Sequence, residues 1–135
     1  MSYVERHKVD GSHTDGLTIE RADKLGPGGA PHRYDITGFD TINNPFSEGK
    51  GGYVSHFSRL PIIFQAGTVK DEGPNGITFE ALLSIVEDGL QHYQNGPYPC
   101  KENAIALAHV QAALDALHTR TRDRMKRDVE GKQTK

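Results

Sequence analysis

The sequence predicts an α+β fold: an N-terminal antiparallel β-sheet followed by a C-terminal antiparallel helical pair. Two observations carry this. Apolar residues alternate or cluster in short runs up to Gly76, then recur at three- and four-residue spacings after Thr78, a change from strand period to helical period. The helical half breaks at Asn95-Gly96-Pro97, a helix exit followed by a restart. A chain of 135 residues suits a single domain, since domains commonly run to ~100–150 residues. Its parts are strands and loops over 1–76, two helices over 77–129 and a tail over 130–135. The hydrophobic content of 35% allows one modest core, and small domains often gain stability by association, so an oligomer is expected.

Taken in order, Tyr3 to Val9 is a candidate edge strand, and the glycine-rich, polar stretch from Gly11 to Pro31 predicts a long loop. Between His32 and Asp40, Tyr34, Ile36 and Phe39 suit a strand bent at Gly38. Asn43 to Gly52 predicts another loop. Leu60 to Gln65 is a short apolar run rich in strand formers, turned by Ala66-Gly67 into Thr68-Val69-Lys70, with a further turn over Asp71 to Gly76. Thr78 can cap the first long helix, with Glu80 near its positive end and Leu82, Leu83, Ile85, Val86 and Leu90 as its apolar face. The second helix should run from about Lys101 to about Asp128. Its seam of Leu107, Val110, Leu114 and Leu117 is flanked by alanines that permit close helix approach.

Composition narrows the function classes. Cys100 is the only cysteine, so neither an intrachain disulfide nor a cysteine-built zinc site can form. No hydrophobic signal core opens the chain, and no apolar run nears the ~18–20 residues that cross a bilayer; a cytoplasmic, non-membrane protein is expected. The net charge of −2 is uneven. From His118 onward, seven Lys or Arg face three acids, so a positive end is joined to a body of net −6. That distribution suits a compact anion better than a long polyanion.

Most catalytic signatures are missing. Ser47 to Gly52 has glycines and a lysine without phosphate-loop spacing, and Asp71 to Gly76 lacks the alternating ligands of a calcium loop. The seven histidines include no HxH or HxxxH pair to seat a metal, and no GxSxG elbow offers a serine nucleophile. What stands out is a row of Arg120, Arg124 and Arg127 at i, i+4 and i+7, which shares one helix face. Guanidinium forks match phosphate oxygens; equally, a basic last turn complements the helix dipole. A second polar cluster, Gln91 to Asn103, offers Tyr93 and Tyr98 for stacking and Asn103 for base edges or sugar hydroxyls. Ordinary helix punctuation would account for it too.

Phe64-Gln-Ala-Gly67, Pro74-Asn-Gly-Ile-Thr78, Tyr93-Gln-Asn-Gly-Pro-Tyr-Pro-Cys-Lys-Glu-Asn-Ala104, Arg120-Thr-Arg-Asp-Arg124 and Val129-Glu-Gly131 occur in that order. In these motifs, over roughly the last 70–80 residues, the chain resembles the phage Thoeris anti-defence sponges of the first type described. Tyr34-Asp-Ile-Thr-Gly-Phe-Asp40 adds weaker likeness upstream. The resemblance implies sequestration, without cleavage, of glycocyclic ADP-ribose made by a TIR-domain defence protein in the infected host. It implies assembly as a homodimer or as a hexamer built from dimers, and, for some members, separate sites for cyclic di- or trinucleotides. It implies no cofactor. By motif, Tyr93 would stack on adenine, Asn103 would hydrogen-bond the ligand, Arg120 and Arg124 would contact base and phosphate, and Lys70 would add a basic group. The chain has no Trp, so any tryptophan contact of relatives is absent or replaced.

Asn103 and Arg120 lie 17 positions apart on one predicted helix, roughly 25 Å at the standard rise. A compact ligand touching both therefore needs the Arg end of one copy beside the Asn end of another, an arrangement that the Leu107–Leu117 seam would give across a two-fold axis. Bond cleavage needs a positioned acid, base, nucleophile or metal. Arginines, an amide and an aromatic bind the ground state instead, as sequestration requires. Glu102 lies near and could act as a base, although an acid at the start of a helix is common for dipole reasons. The alternatives are an enzyme that degrades the same signal and a small nucleic-acid-binding module using the basic end.

Overall fold

The computed structural model describes residues 2–12, 16–46 and 56–130. The chain divides into two compact units, Met1–Ile77 and Thr78–Lys135. Among the described residues no helix is long and apolar enough to cross a membrane.

The first unit is a four-stranded antiparallel sheet of β1 (Ser2–Val4), β2 (Thr18–Arg21), β3 (Arg33–Thr37) and β4 (Leu60–Ile63), in that spatial order. The expected edge strand is real but short, because the chain turns after Val4, with Lys8 N donating to Glu5 O. The expected loop from Gly11 to Pro31 is corrected: it contains β2 and a 3-10 turn at Pro27–Gly29. Thr18-Ile-Glu-Arg21 holds a single strongly apolar residue, so hydropathy does not mark it. As an inner strand it is instead held by backbone pairing on both sides, Ile19 opposite Val4 and opposite Ile36. The bend after β3 is at Gly38, with φ 90°; a Cβ there would lie 2.0 Å from Gly16 O, so only glycine fits. Ser47 to Gly52 lies outside the described residues.

β4 leads into Phe64, which bridges Ile77 in parallel. The segment between them, expected to turn at Ala66-Gly67 into Thr68-Val69-Lys70 and again over Asp71 to Gly76, contains a short helix instead. Thr68 caps a single turn, α1 (Val69–Glu72), its Oγ1 accepting from Asp71 N at 3.1 Å. Asp71 and Glu72 thus end α1, and the turn proper begins at Gly73.

The second unit is a helical hairpin of α2 (Phe79–Gln94) and α3 (Lys101–Glu130). Thr78 caps α2 as predicted, Oγ1 accepting from Ala81 N at 3.1 Å, with Glu80 in the first turn. Cys100 caps α3: Asn103 N donates to its Sγ at 3.4 Å, while Gln94 Oε1 accepts from Cys100 N at 3.0 Å. The helices run antiparallel, since Thr121 Oγ1 reaches Glu80 Oε2 at 3.4 Å near the start of α2. Residues 122–130 of α3 therefore extend past that start, a further ~13 Å at the helical rise.

Packing inside the hairpin corrects two expectations. The Leu107, Val110, Leu114 and Leu117 seam is taken up by α2 of the same chain, and Leu114, 5% exposed, is the most buried apolar side chain described. The apolar face of α2 splits. Leu83 and Leu90 are half-buried, whereas Ile85 and Val86 are 69% and 46% exposed. At ~100° per residue, these five positions spread over roughly 160° of the helix, with Ile85 at one edge and Leu83 at the other, more than one neighbouring helix covers. The tail expected beyond Glu130 lies outside the described residues.

Candidate functional site

The predicted site residues fall at separate places. Tyr93, in the last turn of α2, is 67% exposed; Asn103, in the first turn of α3, is half-buried. The hairpin brings these two to its closed end. Arg120 and Arg124 are exposed on α3 near the opposite end, one turn apart on the same face. Neither makes an ion pair among the described residues. α3 is unbroken from Lys101 to Glu130, so Asn103 and Arg120 of one chain stand roughly 25 Å apart along its axis.

A cleft of about 480 Å³ opens at the closed end, lined by Gln91, His92, Gln94, Asn95 and Leu107. Its amides offer donors and acceptors but no fixed charge. Sequence reasoning grouped Gln91, His92, Gln94 and Asn95 with Tyr93 and Asn103 but assigned them no role in binding, and placed Leu107 in the α3 seam. The signal was present as three side-chain amides, Gln91, Gln94 and Asn95, crowded into one helix end. Gln94 is partly committed, because its carbonyl oxygen caps Cys100.

Lys70 belongs to the first unit, exposed on α1. The motifs around it have a structural explanation. Asn75 N donates to Gln65 Oε1, and Gln65 Nε2 donates to Gly73 O at 2.8 Å. In return, Ala66 N donates to Asn75 Oδ1 and Asn75 Nδ2 donates to Ala66 O, both at 2.9 Å. Two amide side chains thus replace a backbone ladder and tie the ends of the loop carrying α1 together. Gly76 completes the closure, since a Cβ there would lie 2.5 Å from the Phe64 carbonyl carbon.

The sheet holds a charged cluster that sequence reasoning missed. Asp35, 8% exposed, accepts from Arg59 Nη2 and from Arg33 Nε, the latter at 3.1 Å. Hydrogen bonding from Arg59, then Arg33, holds its carboxyl below the usual range against the opposing effect of burial. Arg33 and Asp35 alternate onto one strand face, which was the available signal. Glu20 stands across from Asp35 in the register of β2 and β3, a second acid beside the two guanidinium groups. Elsewhere Asp40 is held low by the Ile42 N–H, then by His56 Nε2 at 2.9 Å.

The model of the Acb2/Tad1 hairpin domain matches residues 59–122, which span β4 through most of α3. Over 111 residues the chain is 35% identical to "Thoeris anti-defense 1" of Bacillus phage SBSphiJ7, covering 76% of this chain and 78% of that protein.

Proposed function

This chain belongs to the Thoeris anti-defence 1 family, and on that premise we propose that it sequesters a small cyclic adenine nucleotide signal, glycocyclic ADP-ribose, without cleaving it. It is a phage anti-defence protein by family, and the infected host cell is where such a signal would be met. The observation that carries the finer reading is the pair Arg120 and Arg124. They are exposed, share a helix face and lack an ion-pair partner among the described residues. Like charges so placed repel one another unless an anion lies between them, and guanidinium forks suit phosphate.

Tyr93 supplies a face for adenine and Asn103 a two-way amide for base edge or ribose, while Lys70 is the remaining basic candidate. Because one chain separates Asn103 from the arginines by roughly 25 Å, the site is completed by a second copy, so the binding form is a homodimer or a hexamer of dimers. None of these groups serves as a nucleophile or positions a proton, which favours ground-state binding over turnover.

The test is calorimetric titration with glycocyclic ADP-ribose, then heat release and mass analysis of the recovered ligand. Saturable binding with intact ligand is expected. Recovery of a cleaved product would make the protein an enzyme. No binding would overturn the reading and direct titration to cyclic di- and trinucleotides.

A further inference from the structure

Among the described residues two side-chain hydrogen bonds join the arms of the hairpin, one at each end. At the open end Thr121 Oγ1 donates to Glu80 Oε2 at 3.4 Å. At the closed end the N–H of Cys100, the residue before α3, donates to Gln94 Oε1 at 3.0 Å. The connection between the helices has few other means of holding its shape. Pro97 and Pro99 carry no N–H, and the bonds from Asn95 N to Gln91 O and from Gly96 N to Tyr93 O fasten only its first half. Its second half is fastened through Cys100, whose polar groups are all engaged: the N–H with Gln94, Sγ with Asn103 N at 3.4 Å, and the carbonyl with Ala104 N at 3.2 Å. Gln94 is half-buried and follows Tyr93 in the last turn of α2. Two bonds therefore run from the residue beside Tyr93 to the backbone of Asn103.

We propose that Gln94 is a positioning residue of the nucleotide site: its side-chain oxygen fixes the start of α3 and, through Cys100, sets Asn103 against Tyr93. This role rests on the sequestration reading, in which Tyr93 stacks on the ligand and Asn103 hydrogen-bonds it. A stack and a hydrogen bond to one small, rigid molecule must be met together. An error in the spacing of the two arms then costs affinity even where each side chain is intact. Apolar packing does not set that spacing closely. Near the closed end it comes from half-buried Leu90 and Leu107, and such burial is non-directional, whereas a hydrogen bond has a narrow range of length and angle. The two ends of the Gln94 amide differ. Oε1 is committed to Cys100, while Nε2 makes no hydrogen bond among the described residues and belongs to the cleft lined by Gln91 and Asn95. Positioning belongs to Oε1; a direct contact with the ligand would belong to Nε2.

Two substitutions separate these. Gln94→Met keeps side-chain length and helix propensity but removes both amide groups. Gln94→Glu removes the donor but keeps an acceptor oxygen, and its charge is well placed at the start of α3. Glycocyclic ADP-ribose is titrated into wild type and both variants. Amide exchange over residues 95–104 is followed by mass spectrometry, and helix content by circular dichroism. Gln94→Met should bind about tenfold more weakly, the worth of one misdirected hydrogen bond, and should exchange faster over that segment with its helix content unchanged. Gln94→Glu should return both affinity and exchange to near the wild-type values. Undiminished affinity in Gln94→Met, or unchanged exchange, overturns the proposal. Equal loss of affinity in the two variants also overturns it, by placing the ligand on Nε2, and so does a loss that follows helix content. A wild type that fails to bind sinks the sequestration reading and this role with it, whereas any of the other adverse results, with wild type binding, removes the role alone.

Discussion

Asp35 shows how much one side chain can organise where apolar burial is thin. Its carboxylate holds Arg59 and Arg33 on the sheet face, and it is the buried polar residue of the described chain. Its pKa is depressed, chiefly by Arg59, so its contribution to stability is fully present above the ordinary carboxylate pKa of ~4. That contribution is lost as pH falls through the lower folded-state value. Asp35→Asn should therefore lower the melting temperature at pH 7, and the gap from wild type should narrow below pH ~4. A gap that stays constant with pH would assign the effect to shape rather than charge. Arg124 and Asn103 answer a different question at the same scale. Arg124→Ala and Asn103→Ala should each abolish detectable nucleotide binding in titration while leaving the melting temperature near wild type. A large loss of melting temperature in either would make that residue structural.

Among the elements, the helices were far more legible than the strands. α2 and α3 announce themselves through Thr78, Glu80, the Asn95-Gly96-Pro97 break and the spacing of Leu107, Val110, Leu114 and Leu117, and their ends fall within about two residues of the expected ones, the usual uncertainty of helix ends. β2 left no such trace, because four mostly polar residues held by neighbours on both edges need no hydrophobic period. The partner of the α3 seam was also illegible. An apolar stripe states that something covers it, not which helix does. Its assignment to α2 has a testable consequence: Leu114→Ala should destabilise the hairpin itself, by ~2–4 kcal/mol in the manner of buried large-to-small changes. Chemical denaturation followed at the helix signal measures this. Loss of assembly with unchanged helix stability would instead return the seam to an interface between copies. Thr78→Ala should cost less, about 1 kcal/mol, through the lost cap on Ala81 N.

For the whole molecule, charge distribution separates the remaining functional readings more sharply than fold does. A basic α3 end on a body of net −6 can meet a small dianion at one point, but an extended polyanion would also run along the acidic remainder. A nucleic-acid binder making several phosphate contacts loses about 10³–10⁵ in affinity between 50 and 200 mM salt, because each contact releases counterions. A cyclic nucleotide with two phosphates has no condensed counterion layer of that kind, and stacking on Tyr93 and hydrogen bonding at Asn103 are little screened. Titration of glycocyclic ADP-ribose across that salt range should weaken by about tenfold or less, while duplex and single-stranded DNA should show no saturable binding at ~150 mM salt. The sequence names the candidate site only as residue types, Arg120, Arg124, Tyr93 and Asn103, and the fold leaves these at two ends of one hairpin. Their separation along one helix is what makes the proposed site need a second chain. A steep salt dependence, with DNA competing for the same arginines, would move the function from signal capture to nucleic-acid binding and leave the helical hairpin unchanged.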